Sequence, residues 1–515
     1  MTDRLNVSEW LLDRRLQAGD GDRVALRHQG TDVTYAEVAA RADQVAHALA
    51  GLGVRPEERV AIVLLDSPEW VAVFLGALRL GAVPVPMSTM VMGTDLAFLC
   101  HDARARVAVV DAALAQAAAV MTAGASELVH LVTVGDGELQ APGRVTTHRY
   151  AEWAVGDEPF APYATWEDSP AFWLYTSGTT GRPKAAMHRH ADLPFTAETY
   201  GRQVLGVTRY DRAYSVAKLF FAYGLGNSLT FPLSVGGCAV LDPRRPTPAG
   251  VIEAVRAERP TLLFAVPTFY AALLAAQPQP PDDTFASVRC AVSAGEPLPA
   301  EIFRRFQARF GVEILDGIGS TEALHIFISN APGDARPGKS GRIVPGYAAR
   351  LLDDGGQPVP DGEPGHLFVS GESLVTGYWC RTRATRRAFH GEWMRTGDVL
   401  TRSKDGVYTY GGRSDDMLKA GGIWVSPAEV EAALVEHPGV LEAAVVGRPD
   451  AHGIDKPVAF VVAAPVTPPG DRPTAEELIA FCKQRLASYK RPRDVIFCDD
   501  LPKTATGKIQ RYKLR

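Results

Sequence analysis

Cysteine is scarce in this chain. The six in 515 residues, Cys100, Cys238, Cys290, Cys380, Cys482 and Cys498, lie far apart and none pairs at metal-ligand spacing. Reduced buried thiols in a cytosolic protein are therefore expected, not a disulfide frame. The twelve histidines form no HExxH or similar cluster, which argues against a catalytic zinc. A metal entering with a phosphate substrate would still need only a carboxylate. Long apolar runs are missing as well. The best, Trp70 to Pro86, is broken by Arg79 and two prolines and reads as a buried helix followed by a strand, not a membrane span. The N-terminal MTDRLNVSEW has no apolar signal core, so a cytoplasmic location without a membrane partner is expected. Charge is nearly balanced at -5, which makes no case for nucleic acid. The basic run Arg381 to Arg387 reads as a solvated face or a contact with an anionic cofactor. No useful repeat or low-complexity segment occurs, and Ala112 to Ala119 is helix former.

What is present is 46% hydrophobic and 22% charged sequence, the balance of a soluble globular protein. Its length exceeds one ordinary core, so two or more domains are expected. Thr34 with Glu37 forms a capping box before a helix reaching about Ala50, ended by Gly51 and Gly53. Val60 to Leu65, Ala82 to Pro86 and Val107 to Val110 read as strands, with helices at Glu69 to Leu80 and Thr94 to Cys100. This alternation predicts parallel sheet layered between helices. Residues 134–168 are acidic, rich in Gly and Pro, and read as surface structure. A further strand, helix and strand occupy Cys238 to Leu241, Pro248 to Glu258 and Thr261 to Val266. From 338 to 412 short alternating runs between Gly and Asp turns predict small antiparallel sheets. The densest boundary, GGRSDDMLKAGG at 411–422, reads as a mobile joint. Beyond it Ser426-Pro427-Ala428-Glu429 and Thr474 with Glu477 cap two helices among three strands, an α+β unit. The terminal LPKTATGKIQRYKLR reads, on its residues, as a charged tail.

The chain is organised around AFWLYTSGTTGRPKAAMHRH, residues 171–190. An apolar strand enters a segment of Thr, Ser, Gly and Lys, and a helix is expected to follow. Gly178 and Gly181 permit tight turning, Thr176, Ser177, Thr179 and Thr180 add hydroxyl donors, and Lys184 adds a positive charge, the make-up of a phosphate cradle. The spacing is not that of G-x-x-x-x-G-K-[ST]. The competing reading is a solvent-facing linker. VSAGEP at 292–297 and ILDGIGSTE at 314–322 each carry a strand's end into a glycine turn, where ligands of open α/β sheets converge. Phe220, Phe221 and Tyr223 beside Gly224 and Gly226 either wall a flat cavity or mark close helix packing. Asp398, in WMRTGD, reads as an exposed turn carboxylate that caps its loop or holds a ribose diol.

YTSGTTGRPK (175–184), SAGEP (293–297), GSTE (319–322), TGD (396–398), GRSDDMLKAGG (412–422) and PKTATGKIQR (502–511) occur in one order. In that order they resemble the adenylate-forming superfamily of acyl-CoA synthetases, adenylation domains and luciferase. AKLFFAYGLGNSLTFP, DGIGSTEALHIFISN and GYWCR make the chain similar to its benzoate-CoA ligase branch. The resemblance implies a large N-terminal domain of layered α/β sheets with a small β-barrel-like subdomain, residues 1–412, and a small mobile α+β domain, 413–515. It implies activation of an aryl acid by ATP with Mg2+, then transfer of the acyl group to coenzyme A, releasing AMP and pyrophosphate.

By that likeness Thr176, Ser177, Gly178, Thr179, Thr180, Gly181 and Lys184 hold the leaving phosphates. Gly295, Glu296, Pro297, Asp316, Gly317 and Ile318 line the nucleotide, and Asp398 and Arg413 meet the ribose. Thr321 meets the α-phosphate or the acid, Glu322 binds magnesium and Lys508 bridges carboxylate and phosphate. Asp415 is the hinge, and Gly421 and Gly422 flank the coenzyme A thiol. Ala222, Tyr223, Gly319, Ser320, His325 and Ile326 form the acid pocket, an aromatic slot that favours benzoate over a long acyl chain. His325 either bonds a ring substituent or is a satisfied structural histidine. Ile318 replaces the tyrosine that usually stacks on adenine, and Arg182 is an alternative exposed cation to Lys184. A hydroxy-, amino- or halobenzoate ligase, or an aryl adenylation enzyme loading a carrier protein, shares these motifs. A nucleotide-binding scaffold without catalysis would have lost Glu322, Asp398 or Lys508, and all three are present. Homodimers are common among similar enzymes.

Overall fold

The computed structural model describes residues 3–137, 141, 143–176, 183–414, 416–420, 423–449, 455–464, 472–488, 490–503 and 509–515. A large α/β N-terminal domain carries the smaller α+β C-terminal domain. The capping box at Thr34 is formed, its side chain accepting from Glu37 N–H while Glu37 accepts from Thr34 N–H at 2.7 Å, and the helix runs Tyr35–Gly51. Ser67 caps the next helix, Pro68–Leu80, whose residues are all buried except Glu69.

That burial follows from position. A nine-stranded sheet contains, in parallel succession, Val24–His28, Cys238–Leu241, Arg212–Ser215, Leu262–Ala265, Cys290–Ala294 and Ile314–Gly319, with antiparallel strands at both ends. A second sheet of five parallel strands is ordered Val83–Pro86, Arg59–Val63, Val107–Asp111, His130–Val134 and Thr146–Arg149. One apolar core joins Leu26 and Leu241 of the first sheet, Val60 and Ile62 of the second, and the two helices. Gly76 permits the helices' approach, since a Cβ there would stand 2.7 Å from the Ala42 carbonyl oxygen.

The described residues of 134–168 lie mostly at the surface, as expected, and Thr146–Arg149 there extends the second sheet while Tyr150–Trp153 is a short helix. The helix expected directly after the phosphate motif is corrected: Pro170–Thr176 pairs antiparallel with a strand, Lys184–Arg189. Ala185, Ala186 and His188 are buried along it, and small alanines suit a packed strand as well as a helix. The motif is therefore flanked on both sides by strands, Thr176 pairing with Lys184.

The antiparallel expectation for 338–412 holds. Ala348–Leu352, Gly365–Ser370 and Trp393–Arg402 pair in succession, and Phe389–His390 and Tyr408–Arg413 both pair with Trp393–Arg402. In the C-terminal domain, Val440–Pro449, Asp455–Ala463 and Asp494–Phe497 form a sheet beside helices Pro427–Val435 and Ala475–Lys483, capped by Ser426 and Thr474 as read. The described residues of the final stretch are packed and do not form a free charged tail: Lys503 pairs with Glu442 at 2.7 Å and Arg511 with Glu431 at 2.8 Å. Cys380 is exposed, unlike the buried Cys100, Cys290 and Cys482, and no disulfide forms among the described residues. Among the described residues no helix is long and apolar enough to cross a membrane.

Candidate active site

The carboxyl ends of the central parallel strands bring the predicted turns together. Cys290–Ala294 and Ile314–Gly319 are neighbours in register, Ala294 beside Gly317, so Gly295-Glu296-Pro297 and Ser320-Thr321-Glu322 leave the same edge of the sheet. Asp316 and Gly317 lie on the second of these strands with Ile318, and the Asp316 carboxyl is buried, which pushes its pKa well up.

Thr321–Ala323 is one turn of 3-10 helix whose N-cap, Ser320, accepts from Ala323 N–H at 3.2 Å. Its backbone oxygens are all engaged by distant segments. His188 Nε2 donates to Thr321 O at 2.9 Å, Val375 N–H to Glu322 O at 2.9 Å, and Ser373 Oγ to Ala323 O at 2.8 Å. Leu324 leaves the turn at φ 65°, a costly conformation for leucine that these bonds hold in place. His188 is itself fixed, its Nδ1 2.9 Å from Asp192 Oδ2 and its ring stacked on Phe172. Sequence reading passed over His188; the only local sign was an acid four residues later.

The Glu322 side chain is held separately. Tyr378 donates its hydroxyl proton to Glu322 Oε1 at 2.8 Å, and burial together with the glutamate charge pushes the phenol pKa up. Lys184 Nζ lies 4.2 Å from the centroid of the same ring. Thr176 and Lys184, paired across the hairpin, thus arrive at the Glu322 turn. Ser177, Gly178, Thr179, Thr180, Gly181 and Arg182 lie outside the described residues.

Asp398 is a correction. It is 8% exposed and sits within strand Trp393–Arg402 instead of an exposed turn. Gly397 before it has φ 82°, and a Cβ there would meet Arg413 Nη2 at 2.8 Å; this glycine makes room for a guanidinium within a strand. Arg413 donates to Asp398 Oδ1 at 3.0 Å and to Thr396 O at 2.9 Å. The carboxylate and guanidinium placed at the ribose by resemblance are thus one ion pair.

The C-terminal domain reaches this edge too. Ile509 N–H donates to Glu296 Oε1 at 2.9 Å. Lys508, Asp415, Gly421 and Gly422 lie outside the described residues.

Beside the Ser320 turn, His325 is 3% exposed among aromatic rings: Phe231 at 4.6 Å, Tyr200 at 5.2 Å and Tyr223 at 5.4 Å between centroids. Burial lowers its pKa to about 3, so the ring is neutral near pH 7. Its Nε2 is 3.1 Å from Asn227 Oδ1, whose Nδ2 donates to Ser215 Oγ at 3.2 Å. His325 Nδ1 has no hydrogen-bond partner among the described residues. Ala222 opens the helical segment that continues through a wide π turn, Gly226–Thr230, and that turn presents Asn227. A Cβ on Gly226 would lie 2.4 Å from His325 Cδ2, and one on Gly224 would lie 2.0 Å from Lys218 O. Both glycines therefore follow the close-packing reading: Gly224 admits the Lys218 backbone and Gly226 the His325 ring. The Tyr223 hydroxyl is spent on Val292 O at 3.1 Å and Ala265 O at 3.3 Å, so its ring, not its oxygen, faces the histidine. Gly319 pairs with Ile326 of the adjacent antiparallel strand, Ile326–Ser329.

The AMP-binding enzyme family profile matches residues 13–379, and the AMP-binding enzyme C-terminal domain profile matches 429–508. The chain belongs to this family. Within it the chain falls in the benzoate-CoA ligase branch. It is 46% identical over 515 residues, all of this chain and 96% of the relative, to the benzoate–CoA ligase of Thauera aromatica. It is 43% identical to the 4-hydroxybenzoate–CoA/benzoate–CoA ligase of Rhodopseudomonas palustris, over 99% of this chain and 94% of that one. Among solved structures it superposes on the anthranilate CoA ligase AuaEII in complex with anthranoyl-AMP with a TM-score of 0.94 at 40% identity, covering 99% of this chain and 97% of that one. For a benzoate CoA ligase from Burkholderia xenovorans LB400 the score is 0.90 at 44% identity, over 99% and 100%. The chain is thus an AMP-forming acid–thiol ligase of the benzoate-CoA ligase type.

Proposed function

We propose that this enzyme activates benzoate, through a benzoyl-adenylate, to its coenzyme A thioester. The observation that carries this reading is the neutral His325 ring held among Phe231, Tyr200 and Tyr223 beside Ser320 and Thr321. An uncharged aromatic cluster of this kind makes a wall that suits a flat ring. Relatives that act on benzoate, at 46% and 43% identity, support the choice.

The residues divide the work. Two anions, carboxylate and triphosphate, must be brought together, and fixed positive charge and oriented donors offset their repulsion. Lys508 supplies that charge between carboxylate and α-phosphate; the neighbouring contact of Ile509 with Glu296 supports its arrival at the nucleotide. The hairpin from Thr176 to Lys184 holds the departing pyrophosphate, Thr321 orients the α-phosphate and Asp398 accepts from the ribose hydroxyls. Glu322 fits a magnesium ion: it is a single hard carboxylate, and its Oε2 has no hydrogen bond among the described residues. Mg2+ there would neutralise phosphate charge. In the second half-reaction the coenzyme A thiolate attacks the adenylate carbonyl carbon, the C–S bond forms, and the bond to the phosphate oxygen breaks to release AMP. The C-terminal domain, bounded at 412 and 413, turns about Asp415 between the two steps and brings Gly421 and Gly422 to the thiol.

One observation favours a second reading. The unpartnered Nδ1 of His325 is suited to a donor on the substrate ring, as in an aminobenzoate or hydroxybenzoate. Steady-state rates with benzoate, 2-aminobenzoate, 3- and 4-hydroxybenzoate and hexanoate decide between them: benzoate is expected to show the highest kcat/KM, and an amino or hydroxy acid exceeding it would install the second reading. Hexanoate exceeding every aryl acid would overturn both.

A further inference from the structure

Tyr378 contacts both charged sides of the nucleotide site through two different parts of one side chain. Its hydroxyl donates to Glu322 Oε1 at 2.8 Å, while its ring lies 4.2 Å from Lys184 Nζ. The ring itself is fixed. Tyr378 is 6% exposed, its N–H donates to Thr385 Oγ1 at 3.0 Å, its backbone bridges to Ala186, and its ring packs 5.9 Å from Phe389. The backbone of Glu322 is fixed independently by Val375. The only freedom left to the carboxylate is rotation of its own side chain, and the phenol removes it.

We propose that Tyr378 is a positioning residue: it sets the separation between the carboxylate that receives the metal and the ammonium that meets the phosphates. This rests on the nucleotide reading of the site given above. The hydroxyl occupies Oε1 and leaves Oε2 as the metal-facing oxygen, the arrangement by which an outer partner orients a ligating carboxylate. The ring face holds the lysine by cation–π attraction while its N–H groups remain available to phosphate oxygens. One rigid side chain thus gives the acid and the base a common reference, which two flexible side chains on separate elements, a turn and a strand, would lack.

The two functions separate by substitution. Tyr378→Phe removes the hydroxyl and keeps the ring; Tyr378→Leu removes both. Full-length proteins are titrated with ATP by calorimetry in Mg2+ and in EDTA, and with Mn2+ by electron paramagnetic resonance in the presence of ATP. For Tyr378→Phe, Mn2+ affinity is expected to fall about tenfold, the lower end for loss of an outer-shell partner, with ATP affinity in EDTA unchanged. For Tyr378→Leu, ATP affinity in EDTA is expected to fall as well, by roughly threefold. That second loss should be absent when Lys184→Met is already in place. Undiminished or tighter Mn2+ binding by Tyr378→Phe would overturn the proposal, and so would additive losses from Tyr378→Leu and Lys184→Met. Should the leucine variant not fold, the phenylalanine variant decides alone. Failure of the nucleotide reading looks different: the wild-type protein would then show no metal-dependent ATP binding at all.

Discussion

His188 Nε2 stands 2.9 Å from the carbonyl oxygen of Thr321, and the ring's other nitrogen stands 2.9 Å from Asp192. The pair ties the first residue of the 3-10 turn Thr321–Ala323 to the strand Lys184–Arg189 that follows the phosphate motif. His188→Ala would remove one partner each from the buried Asp192 carboxylate, which keeps Arg189, and from the Thr321 carbonyl, which keeps Leu324 N–H, costing stability on the order of 1–3 kcal/mol. Release of the Thr321 backbone is expected to slow pyrophosphate release by up to about 100-fold. Thermal unfolding and pyrophosphate release, measured together, check both; a stable variant with wild-type turnover would refute the assignment.

Gly226 tests the acid pocket without altering any polar group. An added methyl would lie 2.4 Å from His325 Cδ2, and the aromatic rings around His325 leave it little room to retreat. Gly226→Ala is expected to raise KM for the acid at least tenfold, roughly the effect of a misplaced pocket wall, with KM for ATP near its wild-type value. Equal rises in both would place the damage elsewhere.

Asp66 links the second sheet to the pocket loop, accepting from Leu219 N–H at 3.1 Å. Burial raises its pKa from 3.8 to about 6 against the pull of Lys218. Because the folded value lies above the unfolded one, the unfolded state binds fewer protons between those pH values and wild-type stability falls as pH rises through that window. Asp66→Asn keeps an acceptor and removes the charge, so its stability relative to wild type should improve by up to about 3 kcal/mol from pH 4 to pH 7. Unfolding temperatures of both proteins across this range test it, and a constant difference would contradict it.

Ile509 N–H on Glu296 Oε1 brings the end of the chain against the SAGEP turn, next in sequence to Lys508. Lys508→Ala should slow adenylate formation by about 10²–10³, the scale of one lost transition-state donor, while sparing thioester formation from supplied adenylate. Equal loss of both half-reactions would remove this lysine from its assigned step.

Much of the fold was legible because local rules agreed with one another. The caps at Thr34, Ser426 and Thr474 started helices where expected, and the alternating apolar runs became parallel strands. The convergence of SAGEP and GSTE followed from two adjacent strands ending together. Lys184–Arg189 was misread because its alanines carry no clear period. Asp398 was misread because Gly397 signals a turn in sequence, whereas here it clears space for Arg413 within a strand. His188 and Tyr378 gave little local signal of their tie to the Glu322 turn, since those partners lie 133 and 56 residues away. The motifs themselves were readable; His188 and Tyr378, which hold the Glu322 turn, were not.

The central claim is two-step activation of an aryl acid, and mass spectrometry of a single reaction mixture tests it most directly. Incubation with ATP, Mg2+ and benzoate but no coenzyme A should yield enzyme-bound benzoyl-adenylate and pyrophosphate; later addition of coenzyme A should convert the adenylate to benzoyl-coenzyme A and AMP. Formation of ADP and phosphate instead, or no aryl adenylate from any acid in the panel, would contradict it.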